Sequence, residues 1–247
     1  MLGLLAAHGS GEFAVRAESR AGQSCSPVMI DIGHTPRHPG ATSASGAPEH
    51  TFNRRFATEL MQALGAQTNY RVELAYGGRP DLDVHRRAKI IAGVDRGVLL
   101  SIHHDSVQPK YLQSWDHQGR TQRYSDRFSG FSLFVSGLAP GFIESAALGQ
   151  TIGQQFVEAG FSPTLHHNEK LPGENRPLIN EGLGLYRFDE LAVLRYAKVP
   201  AVLIELGIIV NRRDEERLND VAYRKRLQSA IVSAMRRFCE THSAGRN

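Results

Sequence analysis

The chain has 247 residues, of which 41% are hydrophobic, so it can bury one sizeable core without a disulfide or a partner. Its 29 Lys and Arg residues against 25 Asp and Glu residues leave a formal charge of +4, and the basic residues are spread along the chain. Nucleic-acid binding favours a basic stripe interleaved with aromatics, so we expect no nucleic-acid partner. No run approaches the ~18 apolar residues that a membrane-spanning helix needs.

The first 26 residues predict no packed structure. Residues 1–7 (MLGLLAA) have the apolar character of a clipped secretory signal, although no Lys or Arg precedes them, and an artificial start is an equally good interpretation. Residues 8–26 are rich in Gly, Ser and Ala without periodicity, which is typical of a flexible leader. We therefore assign residues 1–26 to a leader or signal remnant and residues 27–243 to one catalytic domain.

Strands and helices alternate along the rest of the chain, which indicates an α/β domain. Three short, β-branched apolar runs lack in/out alternation and predict parallel strands covered on both faces. They are residues 27–32, 98–102 and 201–209. The other predicted strands are residues 70–76 and 131–135, and the predicted helices are residues 49–66, 82–94, 145–159, 193–196 and 220–239.

Four ionisable residues lie at or next to these strands, where ligands collect in open α/β sheets. His34, Glu49 and His103 make the two-histidine, one-carboxylate set that a catalytic zinc takes while leaving a position for water. Gly33 permits a sharp turn before His34, and Glu49 starts a helix whose dipole favours its charged form. Glu205 lies within the apolar run AVLIELGIIV, where a carboxylate needs a partner, and near a metal it would serve as a general base.

Taken singly, these residues also have ordinary interpretations. His34 alone would more often be a surface histidine, and Glu49 alone would more often be a helix N-terminal carboxylate. His103 is harder to explain in this way, because an imidazole at the end of a buried strand needs a partner for both nitrogens.

Three segments carry a family resemblance in their order and spacing: MIDIGHTPRHPGATSASGAPEHTFN, LLSIHHDS and VPAVLIELGIIVNRRDEERL. They resemble the zinc-dependent N-acetylmuramoyl-L-alanine amidases of the amidase type 3 family, and Arg86 or Arg87 also fits that pattern. The resemblance extends over residues 28–218. It implies a mixed, mostly parallel sheet of about six strands with helices on both faces.

The resemblance implies cleavage of peptidoglycan at the amide bond between N-acetylmuramic acid and the L-alanine of the stem peptide. It also implies that Zn²⁺ is held by His34, Glu49 and His103, with Glu205 as the catalytic carboxylate. Since the substrate lies outside the cytoplasm, we expect an exported protein of the periplasm or cell envelope. We also expect it to be a monomer.

Two features depart from the family pattern. His104 follows His103 where the family has a small residue, and successive strand residues face opposite sides, so we assign His103 to the metal and leave His104 unassigned.

The second departure is length: the interval from His103 to Glu205 is long, with extra residues at 106–127 and 162–187. Some relatives carry a regulatory helix here that an activator protein displaces. Neither stretch predicts a long helix, so we favour loops that line the substrate groove over a self-inhibiting helix. Whether an activator protein exists is left open.

Other polar residues have weaker assignments. Cys25 and Cys239 could bridge the two ends of the domain, but two unrelated thiols are slightly favoured. His166, His167 and Glu169 could line the cleft or bind a second metal, but an exposed polar loop is the favoured interpretation.

Two rival functions remain open. The first is a zinc amidohydrolase or carboxypeptidase acting on another acylated amino acid. Carboxypeptidases usually place the first His and Glu three residues apart, whereas His34 and Glu49 are fifteen apart. The second rival is an inactive wall-binding module, which the complete ligand set and Glu205 disfavour, since loss of activity usually shows first at those positions.

Overall fold

The structure is a computed structural model that describes residues 25–77, 79 and 81–244. The predicted leader therefore lies outside the described residues except for its last two positions. Within the described part, the strands are β1 (Val28–Ile32), β2 (Val72–Leu74), β3 (Val98–Asp105), β4 (Gln113–His117), β5 (Arg120–Tyr124), β6 (Ser132–Val135), β7 (Leu178–Asn180), β8 (Leu185–Arg187) and β9 (Ala201–Ile208). The α-helices are α1 (Glu49–Gln67), α2 (Val84–Ala92), α3 (Phe142–Glu158), α4 (Ala192–Arg195), α5 (Arg212–Asn219) and α6 (Val221–Ala244).

Seven of the described strands form one sheet in the order β2-β1-β3-β9-β6-β8-β7. All neighbours pair in parallel except β6 with β9 and β7 with β8. The predicted mixed, mostly parallel sheet is therefore confirmed, with one strand more than expected. Because β1, β3 and β9 are adjacent and parallel, their carboxyl ends meet at one edge, where the predicted site residues follow them.

The central strands are buried on both faces, as their unbroken apolar runs predicted. Ile30 and Leu100 belong to a core with α1, α3 and α6, whereas Met29 and Leu99 belong to a second core with α2 and α4. The predicted apolar stripe of α1 is fully buried in the first core: Phe52, Phe56, Leu60 and Leu64. Burial of each such side chain contributes roughly 1.5–3 kcal/mol, so this face holds α1, and Glu49 at its start, against the sheet.

Several short elements escaped prediction because they lack a sustained apolar pattern. The stretch 106–127 contains the hairpin β4–β5, whose turn residues Gln118 and Gly119 have positive φ angles, as a two-residue hairpin turn requires. The three-residue strands β7 and β8 lie within a stretch broken by Pro and Gly. The charged helix α5 precedes α6, whereas a single final helix was predicted.

The polar helix α5 is held by buried acidic side chains rather than by an apolar face. Asp214 accepts hydrogen bonds from the Ser129 hydroxyl (2.5 Å) and the Gly130 amide (2.9 Å). Glu215 accepts hydrogen bonds from the Ser45 amide (2.9 Å) and hydroxyl (2.5 Å). The helix therefore joins the loop before α1 to the segment before β6.

A disulfide joins the two ends of the domain. Cys25, just before β1, is bonded to Cys239 in α6, and their Cα atoms are 5.8 Å apart. Both residues are buried in the first core. The favoured interpretation of two unrelated thiols was wrong, because sequence separation carries no information about this spatial contact. Such bonds persist in oxidising compartments.

The disulfide is expected to stabilise the domain, since it closes a loop with a sequence separation of 214 residues. The double variant Cys25→Ser/Cys239→Ser should lower the free energy of unfolding by ~2–5 kcal/mol in urea. In reductant, the free energy of unfolding of the wild-type protein should approach that of the variant, while the value for the variant itself should not change. Equal unfolding midpoints for oxidised wild type and variant would contradict the bond.

Candidate metal centre

Three of the four predicted site residues converge beyond the carboxyl ends of β1 and β3. Glu49 Oε2 lies 2.9 Å from His34 Nε2, and Glu49 Oε1 lies 3.1 Å from His103 Nδ1. One ligand atom from each of the three residues lies within 4.8 Å of the other two. Glu49 is buried, whereas His34 and His103 retain some exposure. The group can therefore hold a metal ion that solvent or a substrate can reach.

The backbone at the end of β1 places His34 in this group. The sharp turn predicted at Gly33 is made by His34 instead, with a φ angle of 64° that is costly for a residue other than glycine. Gly33 has a different role, since a Cβ atom there would overlap the imidazole of His103. The Arg87 guanidinium donates to the carbonyl oxygens of His34 and Ile32, the latter at 2.6 Å, and so holds the turn in place.

Arg87 is itself held by a buried ion pair beneath the turn. Its Nη1 donates to Asp31 Oδ1 at 2.9 Å, and the side chains of both residues are less than a tenth exposed. The other oxygen of Asp31 accepts from the Ser101 hydroxyl at 2.5 Å. Sequence analysis noted Arg86 or Arg87 as fitting the family pattern. The structure identifies Arg87 as the buried residue, while Arg86 is exposed.

Glu49 is the most heavily hydrogen-bonded member of the centre. Besides the two imidazoles, it accepts from the Asn53 amide side chain (3.0 Å) and the Ala41 backbone amide (3.1 Å). Burial by itself would raise the pKa of Glu49, but hydrogen bonds from His103 and His34, together with their charges, hold that pKa well below its ordinary value. Glu49 is therefore a carboxylate at neutral pH, at the start of α1 as predicted.

His104, which had no assigned role, lies on the opposite side of β3 from His103. It is buried against Phe52 and Phe56, and its Nδ1 lies 2.7 Å from Asn53 Oδ1. Burial lowers the pKa of His104 to about 3, so it is a neutral imidazole that donates to Asn53. Asn53 in turn donates to Glu49, so His104 supports the centre from beneath without facing it.

Glu205 lies on β9 beside His103, with which it pairs in the sheet register. Its Oε2 atom is buried and has no hydrogen-bond partner among the described residues. Burial raises the pKa of Glu205 well above its ordinary value, and the carboxylates of Asp105 and Glu49 raise it further. A buried carboxylate oxygen with no donor is costly, so this position is suited to a proton, a water or a cation.

A second group of ionisable side chains lies beyond the end of β3. Asp105 Oδ2 is 2.8 Å from His167 Nε2 and 3.5 Å from His166 Nε2. The interpretation of His166 and His167 as an exposed loop was wrong, since the His166 side chain is 1% exposed and the His167 side chain is 13% exposed. Glu169 lies apart from them and accepts from the Tyr111 hydroxyl at 3.0 Å. Sequence reasoning missed Asp105, although its place two residues after His103 on one strand was a usable signal.

The two long insertions form local structure around the site. Residues 106–127 form a short 3₁₀ turn and the β4–β5 hairpin, and residues 162–187 form two 3₁₀ turns with β7 and β8. The indole of Trp115 on the hairpin donates to the Ala44 carbonyl at 2.8 Å, which ties the hairpin to the loop before α1. Neither stretch contains a long helix, as predicted. Across the described residues, no helix is both long and apolar enough to cross a membrane.

Comparisons with known proteins agree with this architecture. The family model Amidase_3, described as N-acetylmuramoyl-L-alanine amidase, matches residues 28–237. A curated relative from Haemophilus influenzae, named probable N-acetylmuramoyl-L-alanine amidase AmiB, is 25% identical over 227 residues, which cover 84% of this chain and 51% of that protein. The present chain therefore spans about half the length of that relative.

Two solved amidase structures share the fold. Ami1 from Mycobacterium smegmatis superposes with a TM-score of 0.65 at 22% identity, covering 87% of this chain and 96% of that chain. The CwlD amidase from Clostridioides difficile, solved in complex with the GerS lipoprotein, has a TM-score of 0.60 at 17% identity, covering 85% and 96%. At these identities the likeness establishes the common fold.

The Arg87–Asp31 pair should be a major source of stability at this edge of the sheet. Arg87→Met leaves the Asp31 charge buried without its cation, so we expect a loss of ~3–5 kcal/mol in the free energy of unfolding, measured in urea. Arg86→Met is the matched control, because Arg86 is exposed, and should change stability by no more than ~0.5 kcal/mol. Adding Asp31→Asn to Arg87→Met should recover part of the loss. Equal effects of the Arg86 and Arg87 variants would contradict this account.

Proposed function

The chain belongs to the Amidase_3 family of N-acetylmuramoyl-L-alanine amidases, and from that premise we propose that it is a zinc-dependent peptidoglycan hydrolase. The bond cleaved is the amide between N-acetylmuramic acid and the L-alanine that begins the stem peptide. The observation that carries the proposal is the convergence of His34, Glu49 and His103, together with Glu205, which pairs with His103 in the sheet and has an Oε2 atom without a partner.

The donor set of this group fits zinc. Two imidazole nitrogens and one carboxylate are the ligand types of catalytic zinc sites, which keep a further position for water. Asn53 and the backbone amide of Ala41 already bind the carboxylate of Glu49, as the outer partners of metal ligands do. When bound, zinc supplies Lewis-acid activation of a water molecule and of the amide carbonyl.

Glu205 is assigned the proton transfers of the reaction. Glu205 pairs with His103 in the sheet register, its Oε2 atom has no partner, and its raised pKa makes it a stronger base than an ordinary carboxylate. We propose that Glu205 takes a proton from the attacking water and delivers it to the leaving amine. Amide nitrogen is a poor leaving group unless it is protonated, so the second transfer is as necessary as the first.

The proposed substrate lies in the cell envelope, and the buried Cys25–Cys239 bond supports export to an oxidising compartment. We therefore propose a periplasmic or envelope location and assign residues 27–243 to the catalytic domain. The CwlD relative is bound to a lipoprotein, so an activator protein is a partner to test for the present chain. Since neither insertion contributes a long helix, we propose that the protein is a monomer and is active without the displacement of an inhibitory helix.

Digestion of purified peptidoglycan tests the function directly. Metal-loaded protein should release stem peptides that begin with L-alanine, identified by mass spectrometry, and chelator should abolish the release until zinc is restored. Release of a different fragment would favour the rival amidohydrolase or carboxypeptidase. If the wall stays intact while the protein holds zinc, both alone and with a candidate activator, the assigned substrate is wrong. If the protein binds no metal, the wall-binding module is favoured.

Substitutions at the centre should separate metal binding from proton transfer. Glu205→Gln keeps the size of the side chain and removes its basicity, so we expect zinc to stay bound while turnover falls by ~10²–10⁴-fold. His103→Ala should lose both zinc and turnover, because it removes a ligand. Metal content by mass spectrometry and peptide release are measured on the same samples. Near wild-type turnover of Glu205→Gln would remove Glu205 from its assigned role.

A further inference from the structure

The group beyond the end of β3 has the make-up of a metal site in its own right. One ligand atom each from Asp105, His166 and His167 lies within 4.8 Å of the others. The three side chains are each no more than about an eighth exposed. Asp105 is fixed by the sheet, whereas the two histidines come from the long insertion at residues 162–187, so the group joins two separate parts of the chain.

Each imidazole has its Nε2 atom toward Asp105, because its Nδ1 atom already has a hydrogen-bond partner. Nδ1 of His167 donates to Glu174 Oε2 at 2.9 Å, and Glu174 Oε1 accepts from the Gln108 side chain at 2.8 Å. Nδ1 of His166 lies 2.9 Å from the Thr164 hydroxyl. Metal-binding histidines characteristically have such outer partners, since these fix the ring and leave Nε2 free for the ion.

The Nε2 atom of His166 is the clearest sign that something else binds here. The side chain is 1% exposed and stacks on Phe128, with ring centroids 5.1 Å apart. Nε2 has no hydrogen-bond partner among the described residues, and the nearest Asp105 oxygen is 3.5 Å away. A buried polar atom without a partner is destabilising, and a ligand bound at this point would remove that cost.

The surroundings favour positive charge. Asp105 Oδ2 lies 2.8 Å from His167 Nε2, and Glu174 Oε2 lies 2.9 Å from His167 Nδ1, so two carboxylates flank this imidazole. A cation bound to the Nε2 atoms of both histidines would offset the charge of these carboxylates and give Nε2 of His166 the partner that it lacks.

We propose that Asp105, His166 and His167 form a second site for a divalent transition-metal ion of the zinc class. Two imidazole nitrogens and a carboxylate oxygen suit zinc and its neighbours, whereas magnesium and calcium prefer oxygen ligands alone. The site uses none of the four residues of the first centre, so it does not depend on the proposed amidase activity. Its ion would link the end of β3 to the long insertion and hold that insertion beside the sheet.

Metal stoichiometry tests the proposal without any activity measurement. Full-length protein without a polyhistidine tag is stripped with chelator, reloaded with zinc, desalted and analysed by mass spectrometry. We expect two ions per wild-type chain, one in His103→Ala, one in His166→Ala and none in the variant that combines them. His85→Ala, which changes an exposed histidine of α2, is the control and should keep two.

Zinc titration in the His103→Ala background isolates the second site and keeps the test valid if His166→Ala fails to fold. In this background, Glu174→Gln should weaken zinc binding by ~10–100-fold, and Asp105→Asn should weaken it further, because one removes an outer partner and the other a ligand. His85→Ala should leave the affinity unchanged. A single ion in wild type, with none in His103→Ala, would overturn the second site. Unchanged affinity in Asp105→Asn would also overturn it.

Discussion

The buried carboxylate of Glu49 is the constraint on which the candidate centre depends. A negative charge in a protein interior is tolerated only when surrounding groups satisfy it, and here both carboxylate oxygens are used. His34 and His103 bind it from the open side, while Asn53 and the Ala41 amide bind it from below. The position of Glu49 follows from the apolar face of α1, so packing in the core determines where the charge lies.

Three carboxylates gather at the same edge of the sheet, and this concentration of charge explains why metal chemistry suits the site. The charges of Glu49 and Asp105 raise the pKa of Glu205, whereas Glu49 and Asp105 themselves are paired with imidazoles. Arg87, the buried guanidinium nearby, is directed at Asp31 and the backbone instead. The fold thus builds a region that attracts cations while it places the permanent positive charge beneath the His34 turn.

The parts of the fold that were predictable from sequence are those with a strong apolar pattern. The unbroken runs of β1, β3 and β9 and the stripe of α1 determined the architecture, and those strand ends led to His34, His103 and Glu205. The β4–β5 hairpin and α5 were missed because hydrogen bonds and turn geometry hold them rather than an apolar stripe. The pairing of Cys25 with Cys239 and the meeting of Asp105 with His166 join distant segments, and no local pattern encodes such contacts.

The disulfide also determines how the domain would carry mechanical load. Because Cys25 and Cys239 enclose the whole sheet, a pull applied to the chain outside these two residues passes through the sulfur–sulfur bond and never reaches the strands. Hydrogen-bonded ladders can be peeled apart by a steady force, whereas a covalent bond cannot be opened in that way. A domain closed like this can be attached at its ends to a structure under tension and still keep the spacing of His34, Glu49 and His103.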